Sequence, residues 1–251
     1  MFKALGSIVI LVAVCATAQT TNENASSMPG MDMSHSAAGK EAKGNAEAMQ
    51  SMQSRHMDMG PHMRMTDLRP PQTGDKGKAA EVEHAAREVA QKYLDYKVAL
   101  ADGYKIFLPN FPQKQYHFTN YHNAYLARDH FDPSLPTSLL YEKTGAGYRL
   151  VGVMYTARKD ATPDDLNARI PLSIAQWHAH VNLCVPALTR REDVIQPGHK
   201  FGLNGSIATK EECDAAGGKF FPQVFGWMVH VYPFEKNSED IWSVERQRHM
   251  D

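Results

Sequence analysis

Two segments in the second half of the chain alternate residue by residue between apolar and polar side chains. In IAQWHAHVNLC (174–184) the odd positions are Ala175, Trp177, Ala179, Val181 and Leu183. The even positions are Ile174, Gln176, His178, His180, Asn182 and Cys184. In the strand expected over QVFGWMVHVYPF (223–234), Phe225, Trp227, Val229, Val231 and Pro233 share one face, opposite Val224, Gly226, Met228, His230 and Tyr232. A period of two is the mark of a β-strand with one side in a core. Each predicted strand therefore has one apolar face and one face that bears histidine.

The rest of the pattern mixes helices with strands. Val82, Ala86, Val89, Tyr93, Tyr96 and Leu100 recur at steps of three and four, which predicts one helix over 79–102, with Gly103 as its stop. SLLYEK (138–143) and YRLVGVMYTA (148–157) flank TGAG and read as a hairpin. In the second of these, Val151, Val153 and Tyr155 lie on one side, and Leu150, Gly152, Met154 and Thr156 on the other. Thr162 and Asp165 form a capping box around Pro163, and Thr209 with Glu212 forms a second, ended by Gly217 and Gly218. The expectation is one α+β domain over 78–251 with an antiparallel sheet, one long N-terminal helix and short helices.

Ahead of it, MFKALGSIVILVAVCATAQ has a cationic start, an apolar run and an Ala-Thr-Ala end, the pattern of a secretory signal cleaved after Ala18. The run is too short for a stable membrane span. The expected location is the periplasm or the exterior. Residues 19–77 carry no apolar period and are expected to form a disordered arm and linker. The formal net charge of -1 excludes a nucleic-acid partner held by bulk charge. The sequence names no protein partner.

The arm is unusual in its methionines. Nine of the chain's 13 lie between Met28 and Met65. Methionine is a core residue, so its display on an unfolded arm has no packing rationale. Thioether sulfur suits Cu(I) far better than harder ions. Met28, Met31, Met33, His35, His56, Met57, Met59, His62, Met63 and Met65 are the candidate ligands there. In the domain, His178 and His180 stand about 6.6 Å apart on one strand face. They could meet His230, with Met228 as a weak fourth ligand and Met154 nearby, if the two strands are neighbours. His117 and His122 are reserve candidates. Copper is the favoured metal, with zinc or another divalent ion as the alternative.

These methionine- and histidine-rich stretches resemble those of bacterial periplasmic copper-handling proteins. The folded part resembles uncharacterised secreted bacterial proteins with a W-H-x-H-x-N-x-C segment, here Trp177, His178, His180, Asn182 and Cys184. That second resemblance implies no activity.

With Cys15 in the signal, Cys184 and Cys213 remain. In an oxidising compartment the pair is expected as a disulfide closing the loop 185–212, worth on the order of 3–4 kcal/mol. The alternative makes Cys184 a thiolate ligand beside His178 and His180. Three functions are open: copper capture, storage or tolerance; a metalloenzyme using the histidines, with Glu142, Asp164 and Asp165 as the carboxylates in the region and no assigned catalytic residue; and an interaction module whose histidines are structural.

Overall fold

The computed structural model describes residues 60–194 and 198–246. The signal segment and most of the arm, including Met28, Met31, Met33, His35, His56, Met57 and Met59, lie outside the described residues, as does the cleavage point. The strands are β1 (Met63–Met65), β2 (Lys105–Ile106), β3 (Tyr116–Thr119), β4 (Ser138–Thr144), β5 (Gly147–Ala157), β6 (His178–Val185), β7 (Lys219–Gln223) and β8 (Trp227–Val231). They form one antiparallel sheet in the order β1-β6-β8-β5-β4-β3-β2, with β7 also paired to β6. The helices are α1 (Asp75–Lys92), α2 (Tyr96–Ala101), α3 (Tyr121–Leu126), α4 (Pro163–Arg169), α5 (Lys210–Ala215) and α6 (Ser238–Ile241). The domain is α+β, as the alternating and helical periods imply.

One sheet face makes the core. Leu139 and Tyr141 of β4, Val153 and Tyr155 of β5, Ala179 of β6, and Val229 and Val231 of β8 pack with Ala79, Val82, Ala86 and Ala90 of α1. Each large apolar side chain withdrawn from water contributes about 2–3 kcal/mol. Trp177 is fully buried in this core at the entrance to β6. The small residues of α1 let the helix lie close to the sheet.

Several elements depart from the sequence expectation. The helix expected over 79–102 is two helices. The Asp95 side chain accepts from the Lys97 amide at 2.9 Å and starts α2 afresh. Asp102 at its far end binds Lys92 at 2.6 Å and the Tyr93 hydroxyl at 3.0 Å, tying the helix ends together. The break shifts the phase, so Ala99 is buried and Leu100 is exposed.

The strand expected over 174–184 runs from His178 to Val185. The strand expected over 223–234 is interrupted. Val224, Phe225 and Gly226 separate β7 from β8, and Phe225 leaves the core face. Gly226 passes so close to Ala157 that an added Cβ would sit 1.9 Å from its carbonyl oxygen. Finally, β5 holds a bulge. Ser138 through Leu140 pair with Met154 through Gly152, but Tyr141 pairs with Leu150, so Val151 is the extra residue. Leu150 therefore joins the core face expected for Val151, and Val151 packs near Leu140 and Met154.

The arm is shorter than expected, because 60–77 is ordered. Met63–Met65 is an edge strand, the Thr66 amide donates to the Trp177 carbonyl at 2.8 Å, and α1 begins at Asp75. The hairpin is as expected, with Gly145 and Ala146 at its turn. The Thr162–Asp165 capping box forms in full, and Thr209 caps α5.

Cys184 and Cys213 are bonded, with Cα atoms 5.6 Å apart. Together with Phe201 and Ile207 they make a small second core under the 185–212 loop. The double substitution Cys184→Ala/Cys213→Ala is expected to lower unfolding free energy by about 3–4 kcal/mol. Urea denaturation checks this, and added reductant should then have no further effect on the double variant.

Candidate metal centre on the second sheet face

The face opposite the main core carries imidazole and thioether. Antiparallel pairing sets His178 of β6 opposite Met228 of β8, and His230 of β8 opposite Met154 of β5. On the other side of β6, Met65 lies opposite His178 and Met63 opposite His180. Directly opposite residues project to the same face, with Cβ atoms about 4.5–5.5 Å apart. Each of His178, His180 and His230 thus has a methionine as cross-strand neighbour.

A fourth imidazole arrives from farther away. His117 is on β3, separated from β8 in the sheet by β4 and β5. Flat strands spaced about 4.8 Å apart would hold it some 14 Å from His230. Its ring centroid is instead 5.5 Å from that of His230. Curl of the sheet and the reach of the two side chains together close that gap, and both rings line one concavity. Gly152 helps, because an added Cβ would meet the Val231 carbonyl at 2.6 Å and the Tyr232 ring at 3.0 Å. Its bare backbone lets β4 and β8 close over β5.

The four rings form a series, His180–His178–His230–His117. Centroid separations are 5.5, 5.1 and 5.5 Å along it. Two imidazoles bound to one ion at about 2.0–2.1 Å hold their centroids roughly 5 Å apart, so neighbouring pairs are at bridging range. The arrangement is a row rather than the closed trio expected from His178, His180 and His230. Among the described residues, no three His, Cys, Asp or Glu side chains gather around one point in a metal-holding group. Met154 and Met228 are soft donors that line the same face.

Burial sets the charge state. His178 is 0% exposed, His230 1%, His180 4% and His117 6%. Burial pushes His117 and His180 down to about 4, with nearby His180 lowering His117 further and His62 lowering His180. Burial also holds His230 well below the ordinary value, reinforced by His178, His117 and His180. These three rings are neutral at pH 7 and offer lone pairs. His230 Nδ1 lies 3.4 Å from the Tyr232 hydroxyl, while its Nε2 is buried with no hydrogen-bond partner. A buried ring nitrogen left unpaired carries a penalty of about 1–3 kcal/mol, which a ligand would relieve.

Other candidates fall outside this centre. His62 has Nδ1 3.0 Å from the Asn182 carbonyl and Nε2 2.7 Å from the Gly205 carbonyl, which removes it from the ligand set expected of the arm. His122 is exposed on α3. The disulfide removes Cys184 as a thiolate. Glu142 pairs with Arg149, Asp164 with Arg69 at 2.7 Å, and Asp165 caps α4. The sequence offers His117 only as a reserve, because nothing in YHFT reveals the curl that carries it to His230.

The row of rings floors a cavity of about 580 Å³, also lined by Met154 and Met228. No protein-family model, curated protein or solved structure matches the chain.

The lowered histidines tie stability to pH. Between about 6.5 and about 4 the unfolded chain takes up protons that folded His117 and His180 refuse. Their contribution is complete above the unfolded value near 6.5 and is lost as pH falls toward 4, by up to about 1.4 kcal/mol per pH unit per ring. Urea midpoints for metal-free protein should drop across this window, and His117→Gln/His180→Gln should flatten the slope. A parent midpoint independent of pH would contradict the burial of neutral rings.

Proposed function

We propose that the chain is an exported metal-binding protein that captures, stores or detoxifies copper in its monovalent state. The observation that carries this is the register that puts a thioether beside each of His178, His180 and His230. Neutral nitrogen and soft sulfur are the donors Cu(I) prefers. A single positive charge is also the least costly to bury among neutral ligands. Among the described residues the one carboxylate lining the cavity is Asp160, which pairs with Arg158 at 3.2 Å. A divalent ion would therefore lack an anionic partner on this face, and zinc is the weaker candidate. The methionine- and histidine-rich stretch before Gly60 would supply further Cu(I) ligands and collect the ion. The disulfide is compatible with an oxidising compartment, in keeping with a signal cleaved after Ala18 and residence in the periplasm or outside the cell. Among the described residues no helix is long and apolar enough to cross a membrane.

A metalloenzyme is the second reading, and the cavity above the rings favours it, since storage alone needs no such space. Among the described residues none of Glu142, Asp164 and Asp165 lines that cavity, and Asp160, which does, is paired with Arg158.

Competition of the mature protein with a chromogenic Cu(I) chelator tests the copper proposal. His178→Gln/His230→Gln should weaken the tightest site at least tenfold, while deletion of 19–59 lowers the number of ions bound and leaves the tightest domain site. Metal content unchanged by the histidine substitutions would make these rings structural and favour an interaction module. No competition by the intact protein would end the copper assignment.

A further inference from the structure

The cavity is far larger than an ion requires. A water molecule occupies about 30 Å³ of the liquid, whereas pockets for small organic molecules span roughly 300–1,000 Å³. At about 580 Å³ the cavity belongs to the second class. Its walls differ from its floor. Phe107 and Phe225 meet edge to face, with centroids 5.7 Å apart, and Phe225 stands 6.4 Å from His180. Two aromatics that line the cavity are left in water, Tyr121 at 59% and Phe225 at 38% exposed. Neither is needed by the main core, and both offer flat apolar surface.

The cavity also has a charge bias. Among the described residues, Arg128, Arg158 and Lys159 line it, against the single carboxylate of Asp160. Arg158 is occupied by Asp160 at 3.2 Å and Asp129 at 3.7 Å. Lys159 donates to the Gln223 carbonyl at 3.0 Å, which fixes the ammonium without neutralising it. Arg128 lies 6.0 Å over the Tyr125 ring and, among the described residues, meets no carboxylate. The wall hydroxyls are satisfied by one another, Thr119 with Ser138 at 2.9 Å and Thr137 with Thr156 at 2.8 Å.

We propose that this cavity binds a small organic acid with a flat apolar body, its ring against Phe107 and Phe225 and its carboxylate facing Arg128 and Lys159. The body replaces water along mostly apolar walls, where burial gives most of the affinity. The carboxylate supplies the anion that the rim lacks. A guanidinium recognises it through paired N–H donors, so arginine rather than lysine should dominate the discrimination. Guest binding stands apart from metal capture, because the groups it uses are rim and wall residues, and the imidazole row need not hold an ion.

Calorimetric titration of the intact mature protein, stripped of metal with chelator and dialysed, tests this with cinnamate as probe and neutral cinnamamide as its control. Cinnamate should bind with a stoichiometry of one and at least tenfold more tightly than the amide. Arg128→Gln should bring the acid down to the affinity of the amide, while Phe225→Ala should weaken both several-fold. Both positions are exposed or at the rim, and unchanged thermal unfolding confirms that the variants fold. Absence of saturable cinnamate binding, equal binding of acid and amide, or an acid preference that survives Arg128→Gln would each overturn the proposal. Cu(I) competition with the same variants should match the parent, so loss of the organic site is separable from loss of the metal site.

Discussion

The second sheet face depends on the seating of β6 beside β8. His178 pairs with Met228 across that junction, and without it the two histidine strands would be unrelated surfaces. The interruption at 224–226 lets one stretch of chain serve β6 twice, as β7 along its far half and as β8 at its start. The disulfide from Cys184 to α5 closes the same region from the other end. Trp177 and Ala179 anchor β6 in the main core, so His178 and His180 are forced onto the opposite face.

Curl gives the face its character. A flat sheet would spread four imidazoles over several strands and leave them hydrated and separately titrating. Here the bulge in β5 and the bare backbone of Gly152 bend the sheet until His117 reaches His230. His117, His180 and His230 are thereby stripped of water and held neutral, in one another's company. The fold bears that desolvation through the large apolar face behind it. This balance is common at functional sites, where polar groups are kept unsatisfied until a ligand arrives.

Much of this could be read along the chain where a local rule operates. The alternation around His178 and His230 named their shared face, and the capping boxes at Thr162 and Thr209 located two helices. Errors arose where one residue reset the phase. Asp95 split a helix whose apolar stripe looked continuous, and the extra residue Val151 exchanged the faces of Leu150 and Val151. Met63 and Met65 looked like part of a floppy arm because a three-residue edge strand is too short to show a period, yet pairing with β6 gives them a fixed place. The sequence groups His62 with them as a ligand, but backbone carbonyls 120 and 143 residues away occupy its ring.

What the sequence by itself determined is the set of faces: which side chains turn inward, which turn toward chemistry, and that two cysteines stand free to pair. These follow from backbone periods of 2 and 3.6, which act over a few residues. The tertiary structure alone decided strand order, the curl that brings His117 to His230, the thioether beside each of His178, His180 and His230, and the cavity above the row. Such features rest on hydrogen-bonded registers between segments 50 to 120 residues apart, and on places where a missing side chain lets backbones approach. No short window of sequence contains both partners of those contacts.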